Sequence, residues 1–268
     1  MTTPNDKLKE GDLQAAVELA LQSVKNDPKK LEHRWFLAEL LILAGDDERA
    51  DKQLDTLMTL DPRLAVAATP VRQLIRAEGK RKQFFSEGRV PDFLDGASEL
   101  LQARLEAFVL LRDGQSEAAG EIVEKAECAR PSLPGTLTVD GKSESFEDIR
   151  DLDDITAEVF EVLTYTGKYY WIEMSRVKLI EFTKLERPLD LIWRKARMVV
   201  GDAFDAEVFL PSVYGNLKGI DDLSRLGRKT DWIGDDKQAV IGVGGRSFVL
   251  DGEKDINMAA IETLDFSA

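Results

Sequence analysis

The chain has one cysteine, Cys128, and one histidine, His33, among its 268 residues. A single cysteine excludes an internal disulfide, and one Cys with one His falls short of a structural zinc site. Nucleophilic catalysis by a Cys-His pair, or by a serine that relies on His33, would need neighbours that the sequence gives no reason to bring together. No Gly-x-Ser-x-Gly motif is present. We therefore predict no catalytic residues, no metal and no cofactor.

Positive charge is also scarce, with 36 Lys and Arg against 50 Asp and Glu and a formal net charge of −14. Nucleic acids and anionic membrane surfaces attract clustered cations, so neither is expected as a partner. No apolar run approaches the roughly 20 residues that span a bilayer. The first six residues lack the basic and apolar segments of a signal peptide. We expect a cytoplasmic protein without membrane insertion.

What the first half does contain is a repeated pattern of a glycine, an alanine five residues later and a proline seventeen residues later. The first two copies are 34 residues apart, which is the period of tetratricopeptide repeats, in which two antiparallel helices form one unit. The glycine would end one helix, the alanine would allow close packing, and the proline would end the second helix. The three copies are Gly11, Ala16 and Pro28; Gly45, Ala50 and Pro62; and Gly114, Ala119 and Pro131.

These markers predict a tetratricopeptide-like helical-repeat domain over residues 1–132. Between the second and third copies, the apolar spacing still favours a helix that breaks near Gly79. The cluster of Pro and Gly at 131–135 then ends the helical pattern.

The second half reads differently, because β-branched and aromatic segments alternate with turns such as Asp140-Gly141. Residues 154–165 are predicted to form one helix that Gly167 ends, and the segments after Gly167 predict strands. We therefore expect a β-rich α+β domain over 133–268, with a bent antiparallel sheet or barrel. The fold class is multidomain, α followed by α+β.

The candidate binding site is the concave face of the repeats, where an aromatic side chain could anchor a partner helix. Repeat numbering places Trp35 and Phe108 on that face. Two alternatives are that the short array has curled up, or that another part of the chain fills its groove. The predicted apolar anchors are Trp35, Ile42, Phe108 and Leu111, and the predicted rim residues are Arg72, Arg76 and Arg104.

Two other classes of function stay open. One is an enzyme or small-ligand-binding protein with a site in the β-rich domain, for which paired carboxylates with perturbed pKa values would be the sign. The other is a scaffold that self-associates through that domain, and the sequence leaves the oligomeric state open. The residues considered for the first class are Tyr170, Trp171, Trp193, Arg194 and Asp231.

Several segments, in their order along the chain, resemble the ImpE family, also called TagJ, of accessory proteins in bacterial type VI secretion. They include 34–37 with 45–50, 71–78 leading to Arg81, 167–172, 190–196, 208–214 and 230–232. The chain departs from the family pattern at Asp47, where an aromatic residue is more usual, and at Lys195, where a proline is more usual.

The resemblance implies a non-enzymatic cytoplasmic adaptor. Its implied partner is the small subunit of the contractile sheath (TssB-like), bound through that subunit's N-terminal helix. Such binding would influence assembly of the sheath or its disassembly by the ClpV unfoldase, which makes ClpV an indirect partner. The family offers no catalytic residues to assign to this chain.

Overall fold

A computed structural model describes residues 2–215, 219–235 and 237–266 of the chain. Helices fill the first half and strands dominate the second, which confirms the prediction of a mixed α and β protein. The last long helix ends at Ala129 and the first strand begins at Gly135. The helices are α1 (Pro4–Glu10), α2 (Leu13–Asn26), α3 (Leu31–Leu43), α4 (Asp47–Leu60), α5 (Ala65–Glu87), α6 (Glu99–Arg112), α7 (Ser116–Ala129) and α8 (Asp222–Arg225).

The repeated glycines lie in the turns that follow α1, α3 and α6. All three have positive φ, at 86°, 78° and 77° for Gly11, Gly45 and Gly114, a conformation that favours glycine. The side chains of Asp12 and Asp46 then accept hydrogen bonds from the backbone at the start of α2 and α4. The sequence thus ends one helix and begins the next within two or three residues.

Helix α5 is longer than predicted. We expected a break near Gly79, but the helix continues to Glu87 and ends at Gly88, where φ is 75°. Ala77, Glu78 and Arg81 are buried on either side of Gly79. Burial of this stretch outweighs the roughly 1 kcal/mol that a glycine costs inside a helix.

The main sheet has eight strands in the order β2-β1-β13-β6-β7-β8-β4-β5, and every paired strand in it is antiparallel. Two smaller antiparallel sheets have the orders β12-β11-β3 and β10-β9. The strands are β1 (Gly135–Val139), β2 (Lys142–Phe146), β3 (Ile149–Asp151), β4 (Val159–Leu163), β5 (Tyr169–Glu173), β6 (Val177–Phe182), β7 (Trp193–Val200), β8 (Phe204–Pro211), β9 (Thr230–Ile233), β10 (Ile241–Gly244), β11 (Ser247–Leu250), β12 (Lys254–Asn257) and β13 (Thr263–Asp265).

Residues 154–165 form a strand and turns, so the predicted helix is wrong. Strand β4 is buried along its whole length, and successive side chains point to opposite faces of the sheet. Val159 and Leu163 pack with the helices, and Phe160 and Val162 pack on the other side of the sheet. A strand buried on both faces has no polar face, which is why its apolar residues also fitted helical spacing.

The helices and the sheet share one hydrophobic core. Phe84 of α5 stacks on Phe108 of α6 with ring centres 4.3 Å apart, and its edge meets Trp171 of β5 at 4.9 Å. A second core lies on the opposite face of the sheet, where Phe160 of β4 meets Phe248 of β11. The helical half therefore buries its apolar face against the second half of the chain.

The two edge strands of the main sheet differ. At one end, the backbone of Asp92 pairs with β5: its N–H donates to the Tyr169 carbonyl, and its carbonyl accepts from the Trp171 N–H, both at 3.0 Å. At the other end, residues 142–145 of β2 are exposed and include Lys142 and Glu144.

Candidate functional site

The face of the helices that carries Trp35 is partly covered by the second half of the chain, and Trp35 itself is half-buried. The Trp35 indole N–H donates to Glu39 Oε1 at 3.1 Å, and the guanidinium carbon of Arg187 lies 5.6 Å from the centre of the Trp35 ring. Arg187 also donates to Glu39 Oε1 at 2.8 Å. The short helical turn 188–191 that follows packs against α3. Of the alternatives to an open groove, the structure therefore favours a groove filled by the chain itself.

Two more of the predicted apolar anchors are interior. Ile42 is 3% exposed and Phe108 is 8% exposed, and both belong to the core that the helices share with the sheet. Leu111 is half-buried at the edge of the same core. In this conformation Ile42 and Phe108 stabilise the fold and present little surface to a partner.

Arg104, predicted at the rim, is fully buried. Its Nε donates to both carboxylate oxygens of Glu158 at 3.0–3.1 Å, and Nη1 donates to the Asp154 carbonyl at 2.9 Å. Its Nη2 donates to Glu127 Oε2 of α7 at 3.1 Å. Arg104 thus ties α6 to α7 and to the segment that enters β4.

The other two predicted rim residues are at the surface of α5. Arg72 forms ion pairs with Asp51 at 2.6 Å and Asp55 at 2.9 Å, both on α4. Arg76, one helical turn later, is exposed and forms no ion pair with a described residue. Of the predicted site residues, Arg76 is the one that lies open to solvent.

Sequence reasoning missed a buried ion-pair network between α5 and the sheet. Glu161 of β4 accepts two hydrogen bonds of 2.9 Å from Arg81 of α5, and it also pairs with Arg246. Arg81 additionally contacts Glu78 at 3.3 Å, and the Trp193 indole donates to Glu78 at 3.2 Å. The signal in the sequence was Glu161, a charged residue in the centre of the apolar segment 159–163, because a buried charge needs a partner of opposite charge.

The network continues from Arg246 towards β3. Arg246 Nη1 lies 3.2 Å from Asp151 Oδ2, and the Tyr214 hydroxyl donates to Asp151 Oδ1 at 2.8 Å. Asp153 accepts from the backbone N–H groups of Ile155 and Gly242, each at 2.8 Å. Asp151 and Asp153 are thus ion-paired or hydrogen-bonded within the protein, and their contacts link β3 and the segment after it to Tyr214, Gly242 and Arg246.

Burial favours the protonated form of both Asp153 and Glu161, but their charged neighbours differ and the two pKa values shift in opposite directions. Burial and, to a lesser extent, the charge of Asp151 raise the pKa of Asp153 to about 7, although hydrogen bonds from the Gly242 and Ile155 N–H groups oppose the increase. Burial would also raise the pKa of Glu161, but the guanidiniums of Arg81 and Arg246 outweigh it and hold that pKa at about 2.

The raised pKa of Asp153 predicts a pH dependence of stability. The unfolded chain releases this proton near the ordinary value of 3.8, whereas the folded chain keeps it up to about 7. The stabilisation is therefore complete below pH 3.8 and is lost as the pH rises through 7. Between pH 6 and 8, we expect the free energy of unfolding to fall by about 1 kcal/mol, measured by urea titration. In Asp153→Asn this fall should be smaller, and an unchanged fall would assign it to other groups.

The residues considered for an enzyme site do not meet at one place. Trp171 and Trp193 are buried in the core shared with the helices. Arg194 lies on the other side, where it donates to the carbonyls of Met258 and Ile261 and packs over Phe182. The side chain of Asp231 is exposed on β9.

Surface chemistry gives no sign of a metal or membrane site in the part of the chain that the structure describes. No group of three or more His, Cys, Asp or Glu residues there is arranged to hold a metal ion. Of the helices within 2–215, 219–235 and 237–266, none has the length and apolar content needed to cross a bilayer. A groove of about 640 Å³ runs between α7 and the segment before β10.

The fold places the protein in the class in which antiparallel helices pack one face against a large antiparallel sheet. Buried ion pairs such as Arg81–Glu161 link the helices to the sheet. Residues 143–265 match the family described as ImpE protein. The resemblance to the ImpE family that the sequence predicted is thereby confirmed.

Two relatives extend the similarity over nearly the whole chain. The chain is 29% identical over 245 residues to the type VI secretion system accessory component TagJ of Pseudomonas aeruginosa, covering 91% of this chain and 84% of TagJ. It also matches the crystal structure of protein VPA1032 from Vibrio parahaemolyticus with a TM-score of 0.88 and 28% identity, covering 98% of this chain and 97% of the other. Both the helices and the sheet therefore have counterparts in that solved structure.

Proposed function

We propose that this protein is a cytoplasmic accessory component of a type VI secretion system that acts by binding another protein. The observation that carries the proposal is the 29% identity to TagJ over 91% of the chain. The proposed partner is the small subunit of the contractile sheath, bound through its N-terminal helix. By occupying that helix, the protein would influence assembly of the sheath or its ClpV-dependent disassembly.

A binding role agrees with the chemistry of the interior. Asp151 and Asp153, the paired carboxylates that a hydrolase could use, are 0% and 4% exposed and are hydrogen-bonded within the chain. Glu161 is held between two arginines. A substrate has no path to these groups unless the core opens. We therefore propose a protein without catalytic activity.

The helical half supports the same proposal. Helices α1 to α4 contact their neighbours in sequence order and repeat the turn glycines at a spacing of 34 residues, as tetratricopeptide-like units would. Since the chain itself covers Trp35, a partner helix would bind to the outer surface of this array. Helix α5 offers such a surface, because it carries Arg72 and Arg76 on one side.

The test is a calorimetric titration of the full chain with a synthetic peptide of the sheath small subunit's N-terminal helix. The full chain is needed because the helices share their core with the sheet. We expect a Kd of about 1 μM or tighter, a free energy of about −8 kcal/mol. The matched control is the same peptide with its sequence scrambled. If the native peptide binds no better than the scrambled one, the proposed partner is wrong.

A further inference from the structure

The outer side of α5 is unusually basic for a protein with a net charge of −14. Arg76 and Lys80 lie one turn apart on this helix, about 6 Å along its axis. Lys168 in the turn between β4 and β5 and Arg89 just beyond α5 complete the group. We call these four residues the α5 basic face.

Contacts between the two halves of the chain bring these cations together. Gly167, with φ of 73°, packs against α5 so closely that a Cβ there would lie 2.8 Å from Gln73 Oε1 and 3.6 Å from Arg76 Cβ. This contact places Lys168 beside the helix. Burial lowers the pKa of Lys80 and the charge of Lys168 lowers it further, whereas the carboxylate of Asp92 raises it by more than Arg89 lowers it.

Asp92 offsets part of the repulsion among these cations. Lys168 Nζ lies 3.4 Å from Asp92 Oδ2. The negative charge of Asp92 also raises the pKa of Lys80, whereas the neighbouring cations lower it. Among the described residues, none forms an ion pair with Arg76, Lys80 or Arg89. By contrast, Arg72 on the same helix is already paired with Asp51 and Asp55.

We propose that the α5 basic face binds an acidic helical segment of the partner protein. Carboxylates one turn apart on that segment would match the spacing of Arg76 and Lys80, and they would relieve the repulsion within the face. This inference rests on the proposed function, because it names the chemistry by which the sheath subunit would be recognised.

A short protein segment fits this face better than a nucleic acid does. Tight binding of a duplex draws on contacts to some six to ten phosphates. The face has four cations, and the rest of a protein with a net charge of −14 would repel a long polyanion. A short acidic helix can contact the four cations alone, within a Debye length of about 8–10 Å.

Zero-length carbodiimide coupling tests the contact directly, because it joins a lysine to a carboxylate only when the two touch. The full chain is mixed with the full-length small sheath subunit, coupled and analysed by mass spectrometry. We expect links from Lys80 or Lys168 to Asp or Glu of the subunit. Links confined to other lysines would overturn the inference.

Calorimetry with charge-reversed variants gives the energetic test. We expect Arg76→Glu with Lys80→Glu to weaken binding of the subunit by about 10-fold or more, since reversal adds repulsion to lost attraction. The control, Lys25→Glu with Lys29→Glu, makes the same change of net charge at exposed lysines of the first repeat. It should alter the Kd by no more than about 2-fold. Circular dichroism and the Tm verify that both variants fold, and Arg76→Gln with Lys80→Gln gives a milder second variant.

The outcomes separate the two proposals. If the unmodified chain does not bind the subunit, the proposed function fails and this inference fails with it. If the chain binds but the α5 variants bind as the control does, only the inference fails. A 20-base single-stranded DNA is titrated in parallel. Micromolar binding of that DNA, lost in the α5 variants, would reassign the face to nucleic acid and overturn the inference.

Discussion

Replacement of Glu161 by glutamine is expected to lower the free energy of unfolding by about 3–5 kcal/mol, because it removes the carboxylate that two buried guanidiniums share. Arg81 and Arg246 both direct guanidinium groups at this carboxylate. Glutamine has nearly the same shape, so the loss would come from charge and hydrogen bonding. In either orientation, the NH2 group of its amide would also face an Arg81 N–H that now donates to Glu161. Urea denaturation followed by circular dichroism measures the change.

The matched control is Glu181→Gln on β6. Glu181 pairs with Arg197 at 2.8 Å, but both side chains are about half exposed. Exposed pairs contribute about 0–1 kcal/mol, so this variant should remain close to the wild type. Equal losses in the two variants would mean that the buried network contributes no more than an ordinary surface pair.

Replacement of Arg104 by methionine is expected to lower the free energy of unfolding by about 3 kcal/mol or more. The change removes the donor to Glu158, Glu127 and the Asp154 carbonyl. Glu158, which is 9% exposed, would then lose the guanidinium that compensates its charge. A shift of Tm in differential scanning calorimetry, together with urea midpoints, measures the effect.

The comparison variant is Arg72→Met. The sequence predicted both Arg72 and Arg104 at the rim of the binding groove. Arg72 is partly exposed and pairs with carboxylates of α4 at the surface, so a loss of about 1 kcal/mol or less is expected. If both variants keep wild-type stability, then the buried contacts of Arg104 are not structural. A loss of stability in Arg104→Met but not in Arg72→Met would confirm that the buried contacts of Arg104 stabilise the fold, whereas the surface ion pairs of Arg72 contribute little.

The helical half was predictable because its signals are local. A glycine with positive φ, an alanine at a close contact and a proline beyond the helix each act on their neighbours in sequence. Ala16, Ala50 and Ala119 are fully buried, as close packing at the repeated position requires. The effect of such residues can be predicted without knowing how the rest of the chain folds.

The strand β4 could not be told from a helix by spacing alone. What decides its structure is burial on both faces and the pairing of Glu161 with Arg81, which is 80 residues earlier in the chain. Arg246, the other partner, is 85 residues later. Contacts at such distances leave no periodic pattern in a sequence, so the ion-pair network was not foreseen.

The candidate binding residues follow from an open groove, one of the arrangements that the sequence leaves open. Under that assumption Trp35, Ile42 and Phe108 face an open groove, but the turn 188–191, the strand β7 and their neighbours cover that side of the array. Arg76 remained exposed because it lies on the side of α5 away from the shared core. Whether the predicted residues contact a partner stays a prediction for the titrations above.

The two ends of the main sheet have a consequence for behaviour at high concentration. An unpaired strand edge is a template on which further chains can add and polymerise. Here the backbone of Asp92 already occupies hydrogen-bonding positions of β5, and Lys142 and Glu144 mark the opposite edge with charge. Neither edge favours open-ended stacking, so crowding should not convert this sheet into fibrils.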